Sequence, residues 1–345
     1  MKQLLAAAAL AALPASAFAD PAADHAPIGV MADHAHEKGE FMLSYRFMHM
    51  DMKGNRVGDD SIAPDAIVTT IANPNAPPAT LRVVPLSMHM DMHMFGAMWA
   101  PSDRVTLMAM ANYVSRTMSH LTYAGMMGAT PRGTFDAESE GFGDTRLSAL
   151  FSLDDAPGRR LVLALGASLP TGSIDETGQV LTPMNTTPVL TLPYAMQLGS
   201  GTVDPFASLT WAASSGQWSW GAQGAATLRV YDNDADYHLG NEGLVTAWAG
   251  FSPVPHLALT LRAEAKIWGD ISGADPRIAA PVQTADPENY GGESLTVLAG
   301  ANYAFSGALE GHRLAFEAGL PVYRDLNGPQ METDFAATLG WQVAF

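Results

Sequence analysis

From residue 40 to the C-terminus, apolar and polar positions alternate with a period of two. The alternating stretches are about 10–16 residues long and are separated by clusters of Gly, Pro, Asn and Asp. In the last stretch Phe335, Ala337, Leu339, Trp341, Val343 and Phe345 share one face, and Asp334, Ala336, Thr338, Gly340, Gln342 and Ala344 share the other. Leu257, Leu259, Leu261, Ala263, Ala265 and Ile267 alternate in the same way with Thr260, Arg262, Glu264 and Lys266. A period of two sends successive side chains to opposite faces of a strand. The pattern predicts strands near 40–53, 82–100, 104–119, 142–153, 160–170, 200–213, 217–231, 243–252, 256–269, 292–305, 311–322 and 332–345, twelve in all.

Alternation alone fits a soluble sandwich, with its apolar face on a core, or a membrane barrel, with that face on lipid. The connections separate the two. Long gaps (54–81, 120–141, 171–199, 232–242, 270–291, 323–331) alternate strictly with short ones (101–103, 154–159, 214–216, 253–255, 306–310). An even number of strands, short turns at the rim that carries both termini and long loops at the other rim define an outer-membrane barrel. Aromatic residues recur near strand ends (Tyr45, Trp99, Tyr113, Trp211, Trp220, Trp268, Tyr303, Tyr323, Trp341), where interfacial girdles would sit. The predicted fold is therefore all-β: a transmembrane antiparallel up-and-down barrel of about twelve strands over 40–345, with short periplasmic turns and long extracellular loops. The terminal Phe345 is the kind of residue by which the barrel assembly machinery reads a last strand.

The N-terminus supports export. Lys2, the apolar run Leu4–Leu13 and the small-x-small site Ala17-Phe18-Ala19 read as a signal peptide over 1–19. Residues 20–39 then read as a flexible periplasmic segment carrying His25, His34 and His36. No stretch is continuously apolar for the roughly 20 residues of a membrane helix. With no cysteine, disulfide scaffolds, thiolate metal sites and thiol nucleophiles are excluded. The formal charge of -17 argues against a nucleic-acid partner, which would need basic patches. The expected partners are outer-membrane lipid, the assembly machinery and either a metal ion or a small hydrophobic solute.

Two short motifs, Gly141-Phe142-Gly143-Asp144-Thr145-Arg146-Leu147 and Leu169-Pro170-Thr171-Gly172-Ser173, resemble the family named for the meta-pathway of phenol degradation. These are outer-membrane barrels often labelled transporters, and the likeness runs from about residue 36 onward. The resemblance implies passage of small aromatic compounds. The Met/His tract described next lies outside the general family pattern and marks a subgroup.

Fifteen of the nineteen methionines lie between residues 31 and 127, with six of the ten histidines. Met48-His49-Met50-Asp51-Met52 and Met88-His89-Met90-Asp91-Met92-His93-Met94 alternate Met with His or Asp. On a strand, every Met then falls on one face and every His and Asp on the other. Phe41, Leu43, Tyr45 and Phe47 share parity with His49 and Asp51, so lipid-facing aromatics leave Met48, Met50 and Met52 in the lumen. The same reasoning turns Met88, Met90, Met92, Met94, Met108 and Met110 inward, giving a thioether wall across three strands. His49, Asp51, His89, Asp91 and His93 would face outward, near the loop ends of their strands. Thioethers suit soft ions such as Cu(I), and His/Asp sets suit Cu(II), Zn(II) or Ni(II).

The leading expectation is a barrel that binds or conducts a soft metal ion, with copper as the candidate ligand and His34 and His36 as a periplasmic capture point. The alternative is a channel for small hydrophobic or aromatic compounds, in which Met is an adaptable apolar wall. A second alternative is a structural or assembly-partner barrel with a blocked lumen. Asp232, Asp234 and Asp236 mimic the start of a calcium loop, but Tyr237 and Gly243 stand where its glycine and final Glu belong, so an acidic loop is expected. Arg46, Arg116, Arg146, Arg229, Arg262, Glu264, Lys266, Arg313 and Glu317 are expected to pair with one another inside the lumen. No GxSxG elbow or Ser-His-Asp arrangement points to catalysis.

Overall fold

The computed structural model describes Ala22 and residues 25–345; the expected signal peptide lies outside them. The wall is one antiparallel sheet closed on itself. In chain order its strands are β1 (Phe41–Gly58), β2 (Val83–Ser102), β3 (Val105–Tyr123), β4 (Thr145–Ala156), β5 (Arg159–Leu169), β6 (Asp204–Ser215), β7 (Trp218–Thr227), β8 (Glu242–Val254), β9 (Leu257–Trp268), β10 (Gly292–Ala304) and β11 (His312–Ala344). Each pairs with the next, and β11 closes the ring on β1.

The eleven segments make twelve passes. β11 is 33 residues long. Its first arm pairs with β10 as far as Leu326, and its second arm pairs with β1 from Leu326 to Ala344. Both of its ends lie at one rim, where the Ala344 amide donates to the Gly311 carbonyl at 3.1 Å. The chain must therefore reverse, and it does so at Asn327-Gly328, where Gly328 has φ +62°. Asn-Gly is the pair that a tight hairpin favours. The twelve passes also meet a topological need, because a closed ring with every neighbour antiparallel requires an even number. The loop expected at 323–331 is thus mostly strand.

A second departure concerns 120–141. β3 runs on to Tyr123, and an additional strand, Pro131–Phe142, pairs with its upper half while β4 pairs with its lower half. Together they form one long arm broken at Gly143-Asp144, so β1 to β3 and this arm form the tallest part of the wall.

Side-chain parity follows the sequence pattern. Leu43, Phe95, Leu107, Leu147, Leu209, Val245, Leu261, Val297, Phe316 and Leu339 stand exposed on the outer face. Arg46, Thr106, Ser148, Thr210, Gln223, Thr246, Arg262, Asn302, Arg313, Glu317 and Gln342 are buried in the lumen. The expected luminal pairing is present in part: Arg262 pairs with Glu317 at 2.8 and 2.9 Å and with Glu264. Arg313 instead donates to the neutral Gln342 and Asn302, each at 2.7 Å, and Arg116 to the Ala195 and Gln197 carbonyls. Arg229 and Lys266 pair with Glu242, outside the expected set. A lumen so filled is a packed polar core.

The largest correction falls on 20–39. The described part, from His25 onward, is no free periplasmic tail but a strap inside the barrel. Ala26, Ile28 and Val30 are buried, with Ala26 and Val30 packed on Ala212 and Trp248. Wall side chains hold its backbone: Arg313 on the Ala26 carbonyl, Gln223 on Met31, Arg160 on Asp33, and Thr106 on the His36 amide.

Candidate functional site

The extracellular mouth is closed by loops that share a hydrophobic core. Tyr194, Tyr237, Ile271, Ile278, Val282 and Ala285 pack together over Val83, with Phe135 and Tyr290 against them. Burial pushes the Tyr237 phenol up to about 12 and raises Tyr194 and Tyr290 as well, so all three stay protonated. The Tyr194 hydroxyl accepts from the Asp275 amide at 3.0 Å. The Asp275 carboxylate in turn accepts from Arg277 at 2.7–3.1 Å. Burial would raise the Asp275 carboxyl, but the Arg277 bonds outweigh it and leave it below the usual range. The acidic loop at 232–236 builds part of this cap: Asn233 Oδ1 accepts from the Ala235 amide at 2.9 Å, and Asp232 pairs with His238 at 2.6 Å.

The two sequence motifs meet at the base of the longest loop. Thr145 pairs with Leu169 across β4 and β5. Asp144 accepts from the Gly172 amide at 3.0 Å and from the Ser200 amide and hydroxyl at 2.8 Å. Thr171 Oγ1 accepts from the Thr145 amide at 2.8 Å and donates to the Gly143 carbonyl at 2.9 Å. Gly172 lies against Gly199 so closely that a Cβ on it would collide with backbone. One carboxylate thus clasps both ends of loop 170–203 and sends that loop back into the barrel.

The loop delivers Leu192, Met196 and Leu198 onto the thioether wall. Met52 stands opposite Met88, Met50 opposite Met90 and Met48 opposite Met92, and Met88 opposite Met118. Met88, Met90 and Met118 are buried with Leu192, Met196, Leu198, Val114 and Ala137, and Met48, Met50, Met52 and Met92 pack against them. Met94 lies opposite Arg46 and Asn112 in the same inward register. Met108 packs lower down with Met42, Met98 and Leu150. The inward orientation expected of the methionines is therefore present.

Three cavities lie along this axis. Above the wall, an apolar cavity of about 320 Å³ is lined by His120, Phe135, Ala137, Val180, Leu190, Leu192 and Pro281. The His120 and Phe135 rings stack there at 4.8 Å and 8°. Below the wall, about 150 Å³ is enclosed by Met31, Met108, Met110, Arg146, Phe206 and Gln223. At the periplasmic mouth, about 480 Å³ is lined by His25, His34, His36, Glu40, Arg160 and Trp248. His34 and His36 thus sit inside the mouth.

The outward His/Asp set is also assembled. Cross-strand register puts His49 opposite Asp91 and Asp51 opposite His89. His49 Nδ1 lies 2.6 Å from Asp91 and His49 Nε2 3.3 Å from Asp51, while His89 contacts Asp51 closely. One ligand atom from each of His49, Asp51 and His89 falls within 4.8 Å of the others. His93 pairs with the Tyr45 hydroxyl at 2.8 Å. Phe41 stacks on Trp99 and Phe345 at the periplasmic rim. A crossing of about 9–11 residues from that girdle ends near His49–Asp51 and His89–Asp91, so the quartet lies at the outer membrane boundary.

Sequence reading missed the cap, the 320 Å³ cavity and the role of Asp144. Their residues come from loops far apart in sequence, where no periodicity signals which will meet. Only the motif glycines hinted at the Asp144 clasp.

A closed cylinder with lipid-facing aliphatics, a plugged lumen and capped mouth defines an outer-membrane β-barrel. The chain belongs to the family described as "MetA-pathway of phenol degradation", whose model matches residues 83–277, more than half of its length. No curated protein matches it. Among solved structures it is similar to an outer-membrane channel from Pseudomonas putida F1, with 13% identity, 91% of this chain and 98% of the other covered, and a TM-score of 0.57. It is more distantly similar to the Ralstonia pickettii toluene transporter TbuX, with 10% identity, 90% coverage of each chain and a TM-score of 0.44. At such identities the first likeness establishes the fold.

Proposed function

We propose that the chain is an outer-membrane channel for small hydrophobic compounds of about monoaromatic size, and that it acts by transport and not by catalysis. The observation that carries this reading is the continuity of apolar lining. Ala137, Val180 and Leu192 border the upper cavity and also pack on the methionine cluster. A cavity of about 150 Å³ holds one benzene, so the 320 Å³ cavity is large enough for a substituted ring. Unbranched thioether side chains re-pack around varied apolar shapes. Leu192 and Met196 are fully buried on the wall, so a solute passes only when loop 170–203 shifts. The similar barrel from Pseudomonas putida F1 is an outer-membrane channel, in keeping with this reading. Insertion in the outer membrane would proceed through the assembly machinery reading the last strand to Phe345.

A second reading keeps the soft-metal role of the methionines, with copper as cargo. It is favoured by the assembled His49–Asp51–His89 set and by the outward Asp91 and His93 beside it. The apolar loop residues Leu192, Met196 and Leu198 packed on the methionine wall favour the solute channel.

One experiment separates them: uptake of radiolabelled toluene and of Cu(I) by liposomes holding the refolded barrel. A solute channel raises toluene uptake, and Met90→Lys with Met118→Lys, which puts unpaired charges on the wall, reduces it at least tenfold. Copper uptake without toluene uptake, lost on changing the Met48–Met52 and Met88–Met94 methionines to Leu, would reverse the order.

A further inference from the structure

The periplasmic mouth holds a cluster that solute passage does not use. His25, His34 and His36 all lie on the strap and line adjoining cavities with Glu40 and His312. The His25 and His34 rings are 5.4 Å apart and the His34 and His36 rings 4.9 Å apart, each pair edge to face.

The nitrogens sort into engaged and free. His34 Nδ1 is 2.8 Å from Asp33 Oδ1, and His36 Nδ1 is 3.2 Å from Glu40 Oε2. Each carboxylate fixes its ring with the proton on Nδ1 and leaves the Nε2 lone pair unused. His36 is 6% exposed, yet its Nε2 has no hydrogen-bond partner among the described residues, and neither does the shielded His25 Nδ1. Other buried side-chain atoms among the described residues also lack a partner, but these two are the imidazole nitrogens among them, and both rings line the same cavity. Carboxylate-backed imidazoles with free outer nitrogens are the arrangement that orients metal-binding histidines. One ligand atom from each of His25, Asp33 and His34 lies within 4.8 Å of the others, and His36 adjoins this group through the 4.9 Å contact of its ring with His34. Metal–nitrogen bonds of 2.0–2.1 Å require tetrahedral ligands about 3.3 Å apart, so binding draws the strap rings together from their present 4.9 and 5.4 Å spacing.

The nearby guanidiniums do not compete for these nitrogens. Arg160 is spent on the Asp33 carboxylate and carbonyl, and Arg313 on Gln342, Asn302 and the Ala26 carbonyl.

We propose that His25, His34 and His36 bind one divalent transition-metal ion, Zn(II) or Cu(II), inside the periplasmic mouth. Asp33 and Glu40 hold two of the rings from behind, and the ion pins the strap in the lumen. The site is separate from the outward His49–Asp51–His89 set, which lies at the opposite rim.

The test is titration of the full-length refolded barrel, stripped with chelator, with Zn(II) alone against a chromophoric competitor. Electron paramagnetic resonance of the Cu(II) form supplies a second readout. The expected result is one ion per chain from this site and a Cu(II) spectrum with hyperfine splitting from three imidazole nitrogens. His25→Ala or His36→Ala should each weaken binding at least tenfold, and His49→Ala with His89→Ala should leave the site intact. These strap residues form no part of the wall sheet, and retention of the folded barrel is checked by its gel mobility without boiling. Absence of a bound ion, or of the three-nitrogen spectrum, overturns the proposal. So does binding that survives both strap substitutions or is lost only with His49 and His89.

Discussion

At the residue scale, the account rests on which way each side chain points. Parity alone turned Met48, Met50, Met88 and Met90 inward, because period two leaves no third choice once Phe41, Leu43 and Phe95 face lipid. The same reading placed Arg262 and Glu317 in the lumen, where they pair at 2.8 Å. What parity could not supply was the strap. Ala26, Ile28, Val30 and Ala32 alternate like a wall strand, yet the polar His34-Ala35-His36 tract beside them pointed to a solvated tail. The signal was present but too short to distinguish from chance. Gly29 is the residue that lets the strap pass: a Cβ there would run into the Arg262 guanidinium and the Glu317 carboxylate. Those two groups are locked on each other and cannot give way cheaply. Gly29→Val should therefore displace the strap while leaving the wall intact. The expected outcome is faster hydrogen exchange over 25–36 and a larger single-channel conductance in planar bilayers. Unchanged exchange and conductance would mean that the strap does not block the lumen.

At the element scale, the strands were legible and the loops were not. Nine wall strands begin and end within a few residues of the expected bounds, since each is set by a local pattern and a turn. The exceptions have physical causes. β3 and the Pro131–Phe142 arm run past the membrane. The upper end of β3 carries polar residues on both faces, and the arm alternates with charged Arg132, Asp136, Glu138 and Glu140 outward in place of the apolar face a lipid-facing strand shows. Loop 170–203 owes its path to Asp144, a single carboxylate whose partners lie 28 and 56 residues away. The cap itself depends on charge. Asp275 is buried and its carboxyl is held below the usual value by Arg277, so it binds a proton less readily in the cap than in the open chain. Its contribution is present at neutral pH and is lost as pH falls through the lowered folded value, below the ordinary carboxylate value of about 3.9. Acidification below about pH 4 should expose the cap, read as protease cleavage within 270–291 by an acid-active protease. Asp275→Asn should show the same cleavage already at neutral pH. A cap equally resistant at both pH values would remove Asp275 and Arg277 from its support.

At the scale of the whole molecule, the lumen is interrupted twice, by loop 170–203 above and by the strap below. The polar lumen is filled by hydrogen-bonded side chains such as Arg262–Glu317 and Arg313–Gln342, whereas the apolar lining runs from the loop cavity onto the methionine wall. This division argues for a solute that avoids the polar core and needs only a soft, deformable surface. The methionines were legible as an inward wall, but their ligand was not. A thioether suits a soft ion and an apolar ring alike, and only the loop residues Leu192, Met196 and Leu198 packed against it tip the balance. The most direct test is a crystal of the barrel soaked with iodobenzene and measured for anomalous scattering from iodine. The account expects iodine peaks beside His120 and Phe135 and along Met88, Met90 and Met118. Iodine confined to the outer, detergent-covered face, with none inside the cylinder, would contradict it.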